Sequence, residues 1–225
     1  MAARALVLVG RGRYQDRWHD DAATGFRVAR VLAGSGLEVD VRGTSPGALE
    51  DVDGADLLAV VAGTGRRDPA HDGDDAAWAG FHARLAQLVV EEGTPLLALH
   101  QAANTFRDAP GWVPLVGGQW IDGLSMHPPI GEATFDPVPG EEHPVLDGPV
   151  TAFDERYCLL QLEPGTRVLM TTRHEGEDHP VVWVSGGPGR VLYDALGHDP
   201  RSYDSPSRRE LLRREADWLR SRADG

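Results

Sequence analysis

The chain has 225 residues, of which 22 are basic and 35 acidic, and its net charge of −13 leaves no excess cation for neutralising nucleic-acid phosphates. Every basic residue is arginine, which excludes Schiff-base and lysine-nucleophile chemistry. A single cysteine, Cys158, excludes an internal disulfide and a cysteine-rich metal site, and it fits a reducing, cytoplasmic compartment.

Arg4–Gly10 (RALVLVG) is a continuous apolar run, as expected of a strand covered on both faces; it is too short for a signal peptide or membrane span. Asp21–Leu32 is predicted as a helix with Phe26, Val28 and Ala29 on its apolar stripe, stopped by Gly34 and Gly36. Leu37–Arg42 and Ala55–Gly63 read as the second and third strands. Asp75–Glu92 places Trp78, Phe81, Leu85, Leu88 and Val89 at helical spacing before Gly93, and Thr94–His100 (TPLLALH) is a fourth strand. Strands alternating with helices imply a parallel sheet with right-handed crossovers.

The second half changes character. Gln119–Leu124, Gly131–Pro137, Val150–Leu162, Arg167–Arg173 and Val181–Ser185 read as strands separated by Pro- and Gly-containing turns, an antiparallel elaboration of the parallel core. Gly189–Leu196 is predicted to return to the main sheet. The last helix starts at Ser205 as N-cap with Pro206 in its first position. No linker divides the chain, so residues 1–225 are expected to form one domain.

In an open α/β sheet ligands bind beyond the carboxyl ends of the strands. The loop after the first strand contains His19, the fourth strand ends in His100-Gln101, and the last sheet strand ends in Gly197-His198-Asp199. These three histidines are therefore expected on one edge, although a histidine at a strand end often has a purely structural role. Arg173 and Trp183, on adjacent predicted strands, suggest a surface for sugar stacking and hydroxyl binding, against the simpler reading of a surface arginine and a core tryptophan. Gly10-Arg11-Gly12 lacks the third glycine of a dinucleotide fingerprint, Gly186–Gly189 reads as a hairpin turn, and no GxSxG elbow is present.

TPLLALHQAANTF stands where class I glutamine amidotransferases carry a strand followed by a sharp turn exposing a cysteine, but here the elbow residue is His100. Without a thiolate there, amidotransferase activity is not expected. Together with GWVPLVGGQW…MHPP, HPVLDG…FDERY and GRVLYDALGHDPRSYDSP, in that order, the chain resembles the ThuA-like (trehalose utilisation) family. The resemblance implies a flavodoxin-like three-layer fold with a parallel core, and site residues His100, His127, Glu155, Tyr157 and His198, with His19 a looser match.

It further implies a role in carbohydrate metabolism, acting on a keto-sugar or disaccharide derivative. His100 and His198 would move protons, Glu155 would orient one of them or act as base, and His19, Gln101, His127, Tyr157 and Arg173 would bind substrate. A histidine-plus-carboxylate cluster is also chemically suited to a divalent metal, which distant segments would have to assemble because no HExxH spacing occurs. A non-catalytic sugar-binding or regulatory module is the competing expectation. No nucleic-acid or membrane partner is expected, and the apolar stretch Trp112–Trp120 is the expected surface of any homo-oligomer.

Overall fold

A computed structural model describes residues 2–221. The elements are β1 (Arg4–Val9), α1 (Asp21–Gly34), β2 (Glu38–Gly43), β3 (Leu57–Val61), α2 (Pro69–Asp72), α3 (Asp75–Ala86), β4 (Leu96–Leu99), α4 (Trp112–Val116), β5 (Gly118–Gln119), β6 (Gly131–Pro137), β7 (Val150–Asp154), β8 (Gln161–Leu162), β9 (Arg167–His174), β10 (Glu177–Val184), β11 (Val191–Asp194) and α5 (Pro206–Arg220). Nine strands form one sheet in the order β2-β1-β3-β4-β11-β10-β9-β6-β7, and β5 pairs with β8 separately. The first five are parallel and follow the flavodoxin order, with β11 in the fifth place. The remaining four are antiparallel.

Burial explains the parallel half. All five residues of β3 and all four of β4 and β11 are buried, so helices must cover both faces. The chain steps one way from β1 to β2 and the other way from β3 to β4; right-handed crossovers therefore place α1 and α3 on opposite faces. α5 packs beside α1. The reversal of direction opens a crevice at the carboxyl ends of β1 and β3.

In the antiparallel half, β9 and β10 change register around Pro180–Trp183, an irregularity of the kind that bends and twists a strand pair. The far edge strand β7 comes back against α5, placing its last residue beside the loop that follows β11. The elaboration thus folds over the crevice rather than extending away from it.

Several sequence expectations need correction. Of Gln119–Leu124 only Gln119, the second residue of β5, is strand. Val150–Leu162 is interrupted after Asp154 and resumes at Gln161, so Glu155 follows a strand instead of lying within one. Phe26 is exposed, because α1 turns Gly25, Val28, Ala29 and Leu32 inward. The helix Asp75–Glu92 ends its α-helical part at Ala86 and continues as a wider π turn over Gln87–Glu91. Trp112, Leu115 and Val116 are buried, so the stretch proposed for oligomer contacts belongs largely to the core. Among the described residues no helix is long and apolar enough to cross a membrane.

Candidate metal centre

His100 follows β4 directly and has a φ of +45°, a left-handed conformation unusual for a residue with a side chain. The chain thus makes a sharp strand-to-turn elbow with an imidazole at its tip. Two contacts hold it: Nδ1 donates to Ala195 O at 2.6 Å, and Tyr193 Oη donates to His100 O at 2.7 Å. The first contact occupies Nδ1, and Nε2 is buried without a hydrogen-bond partner.

His19 is built the same way. Its Nδ1 lies 2.7 and 2.8 Å from the two oxygens of Asp16, which also accepts from the Trp18 and His19 amides. Gly63, just after β3, leaves room for this carboxylate, since a Cβ there would stand 2.4 Å from Asp16 Oδ2. Burial lowers the His19 pKa, only partly opposed by Asp16, so the ring is neutral with Nε2 free to coordinate. Burial opposes ionisation of Asp16, but its bonds to His19 dominate and hold it below the usual carboxylate range.

His198, in the loop after β11, and Glu155, just past β7, complete the group. His198 Nδ1 lies 3.1 Å from Glu155 Oε2 without hydrogen-bond alignment, and His100 Nε2 lies 3.6 Å from the same oxygen. Burial alone would raise the Glu155 pKa, yet its contacts with His100 and His198 hold it well below the usual range. Burial pulls His198 down, but Glu155 outweighs it and raises the ring's pKa. The site thus keeps a carboxylate and attracts positive charge.

One donor atom from each of His19, His100, Glu155 and His198 lies within 4.8 Å of the other three. Among the described residues, His19 Nε2, His100 Nε2 and His198 Nδ1 are buried without hydrogen-bond partners. An unpartnered buried nitrogen costs about 1–3 kcal/mol, a cost that a shared cation removes at His19 Nε2 and His100 Nε2. The far nitrogens of His19 and His100 bond to a carboxylate and a backbone carbonyl, the supporting arrangement usual for metal-binding imidazoles. Nitrogen and carboxylate donors suit zinc or a similar divalent ion, so the residues fit.

His100 is fully buried, while the other three, His19, Glu155 and His198, line a cleft of about 620 Å³. Its walls include Trp18, Trp120, His127 and Tyr157, and Arg107 pairs with Asp122 through two bonds of 2.6 and 2.9 Å. Tyr157 is buried and lies over the His100 ring at 4.2 Å. His127 is 39% exposed along its side chain; its Nδ1 lies 3.0 Å from Pro128 O and 3.4 Å from Glu155 Oε1.

Of the residues expected at the site, His19, His100, His127, Glu155, Tyr157 and His198 come together. Gln101 does not line the cleft: it is buried and donates to Asp21 behind the site. Arg173 lies outside it, exposed on the β9–β10 hairpin and paired with Asp178 at 2.9 Å. Trp183 is fully buried, stacked on Tyr193, so these two form no sugar surface. Sequence reading missed Asp16, Trp18, Trp120, Arg107 and Asp122. The spacing of Asp16 and His19 within one loop was a local signal; the Arg107–Asp122 pairing had none.

A flavodoxin-like α/β protein with a histidine-and-carboxylate cluster at a strand-to-turn elbow is the class these features define. The chain belongs to the ThuA family, described as trehalose utilisation, whose model matches residues 4–219. Among solved structures, a ThuA-like protein from Parabacteroides merdae superposes with a TM-score of 0.76 at 18% identity, over 98% of this chain and 91% of that one. A ThuA-like protein from Bacteroides uniformis gives 0.70 at 16%, over 96% and 91%. A β-galactosidase from Rahnella sp. R3 gives 0.63 at 17%, over 96% of this chain but 31% of its own. Comparison with curated proteins gives no match.

Proposed function

We propose that this protein is an enzyme of carbohydrate metabolism that binds a keto-sugar or disaccharide derivative in the cleft, above a divalent cation held by His19, His100, Glu155 and His198. The observation that carries this reading is the convergence of three imidazole nitrogens and a carboxylate at an aromatic-walled cleft. Trp18 and Trp120 offer flat faces for the C–H surface of a sugar ring. Arg107, Asp122 and Asn104 offer donors and acceptors for its hydroxyls.

A bound divalent cation supplies Lewis-acid polarisation of a carbonyl or hydroxyl oxygen. The proton-moving role expected of His100 and His198 passes to His127 in this reading, because the first two direct their free nitrogens into the donor cluster. His127 Nδ1 faces two acceptors, Pro128 O and Glu155 Oε1, and so carries the ring proton. Its Nε2 is left to take a proton from the carbon beside the substrate's keto group and to return it to a departing or neighbouring oxygen. Glu155 serves both groups, with Oε2 toward the cluster and Oε1 toward His127.

Turnover on a panel of keto-disaccharides, measured beside cobalt binding, tests these roles. His127→Gln is expected to bind cobalt normally and to lose about 10²–10⁴-fold in turnover, whereas His100→Ala loses both. Full turnover by His127→Gln, or by protein stripped of metal, contradicts the scheme. A second reading, a non-catalytic sugar-binding module, draws support from the β-galactosidase chain in which a likeness to this whole fold occupies less than a third of the length. Sugar binding with no turnover across the panel favours it.

A further inference from the structure

We propose that Asp154 is a positioning residue that assembles the donor cluster by tying the antiparallel elaboration to the loop after β11. The inference rests on the metal-centre reading above. Three of the four donors come from loops that follow parallel-core strands: His19 after β1, His100 after β4 and His198 after β11. The fourth, Glu155, follows β7 at the opposite edge of the sheet, four strands away from β11. The two halves must therefore be held in register for the cluster to exist.

Asp154 occupies that junction. It is the last residue of β7, only 1% exposed, and its two oxygens accept four hydrogen bonds. Oδ1 accepts from the amides of Glu155 (2.9 Å) and His198 (3.0 Å), which are the backbones of two donors. Oδ2 accepts from the Gly197 amide (2.8 Å) and the Ser202 hydroxyl (2.5 Å). Gly197 has a φ of +111°, and a Cβ on it would stand 2.4 Å from Tyr203 Oη, so the loop takes this path only with glycine there. One carboxylate thereby fixes Glu155 and His198 relative to each other without pointing into the cleft.

A second tie joins the same strand to the start of α5 without touching a donor: Ser207 Oγ accepts from the Thr151 amide at 3.1 Å and donates to Thr151 O at 3.2 Å. It separates a general stitching role from a positioning one. The experiment is cobalt titration followed by calorimetry and by the visible absorption of the bound ion, in the full-length protein, with melting curves in parallel. Asp154→Asn keeps the shape but sets an amide group against donors; its affinity should fall about 10–100-fold, with an altered cobalt spectrum. Ser207→Ala should shift the melting curve and leave both affinity and spectrum as in the wild type. If Asp154→Asn does not fold, Ser202→Ala, which removes one of the four bonds, should give a smaller loss in the same direction. Wild-type affinity and spectrum in the folded Asp154→Asn protein, or in Ser202→Ala where that variant must stand in, overturn the positioning role alone. Failure of the wild-type protein to bind cobalt overturns the metal-centre reading and this role with it.

Discussion

His100 occupies a backbone region that costs about 1–3 kcal/mol for a residue other than glycine, and its neighbours sustain it. The Tyr193 hydroxyl, fully buried, donates to the His100 carbonyl. Tyr193→Phe leaves that carbonyl without its partner and should lower unfolding free energy by about 1–3 kcal/mol in urea titrations. Trp18 presents the opposite case. It is 71% exposed in the cleft wall, so the fold gains little from burying it. Trp18→Ala should leave stability within about 0.5 kcal/mol while weakening sugar binding, followed by the protein's tryptophan fluorescence. Unchanged sugar affinity contradicts a stacking role. At this scale the sequence was partly legible: a histidine after each of three strand ends could be placed on one edge. The nitrogens that would face one another could not, because the bonds that set them run from His100 to Ala195 and from Tyr193 to His100.

The helix α5 joins the cleft to the core. Its cap, Ser205, accepts from the Arg208 amide and bonds to Thr151 O, so Ser205→Ala should cost about 0.5–2 kcal/mol by thermal or urea unfolding. One turn inside, Arg208, Asp194 and Glu215 are all fully buried: one cation faces two carboxyls. Burial raises the Asp194 pKa, opposed by the close contact with Arg208 at 2.7 Å and a bond from the Leu196 amide, so of the two carboxyls it is the better placed to keep the negative charge. Burial and the charge of Asp194 push Glu215 well above the usual carboxylate range, and it holds the proton. The sign follows from linkage. The native state retains a proton that the unfolded chain releases above about pH 4.3, so stability drains away as pH rises from there toward the raised native value. One proton corresponds to a slope of up to about 1.4 kcal/mol per pH unit. Glu215→Gln should reduce that slope and be relatively more stable at pH 8 than at pH 5 in unfolding measurements; a constant difference contradicts the assignment.

Element types were most readable where burial on two faces leaves continuous apolar runs, as in β1, β3 and β4, and where Ser205-Pro206 marks a helix start. They were least readable over Val150–Leu162. There Tyr157, Cys158 and Leu160 are buried in an irregular segment, and Leu159 has a φ of +58°. An apolar run alone does not separate a strand from such a segment. α1 misled for a related reason. A Cβ on Gly25 would stand 2.2 Å from Val9 Cγ1, so close helix–strand approach selects the Gly25 face and leaves Phe26 outside.

For the whole molecule, the parallel core and the antiparallel elaboration could be seen in sequence as separate patterns, but their meeting could not. Three of the four bonds to Asp154 tie the far edge of the sheet to the loop after β11, and they depend on contacts distant in sequence. Each half supplies what the other lacks: imidazoles from the core loops, a carboxylate and His127 from the elaboration. The direct measurement is anomalous diffraction at the zinc edge from crystals of the wild-type protein grown with zinc. A peak bounded by His19 Nε2, His100 Nε2, His198 Nδ1 and Glu155 Oε2 is the predicted result; a map without a peak there, from crystals that hold zinc elsewhere, would contradict the account.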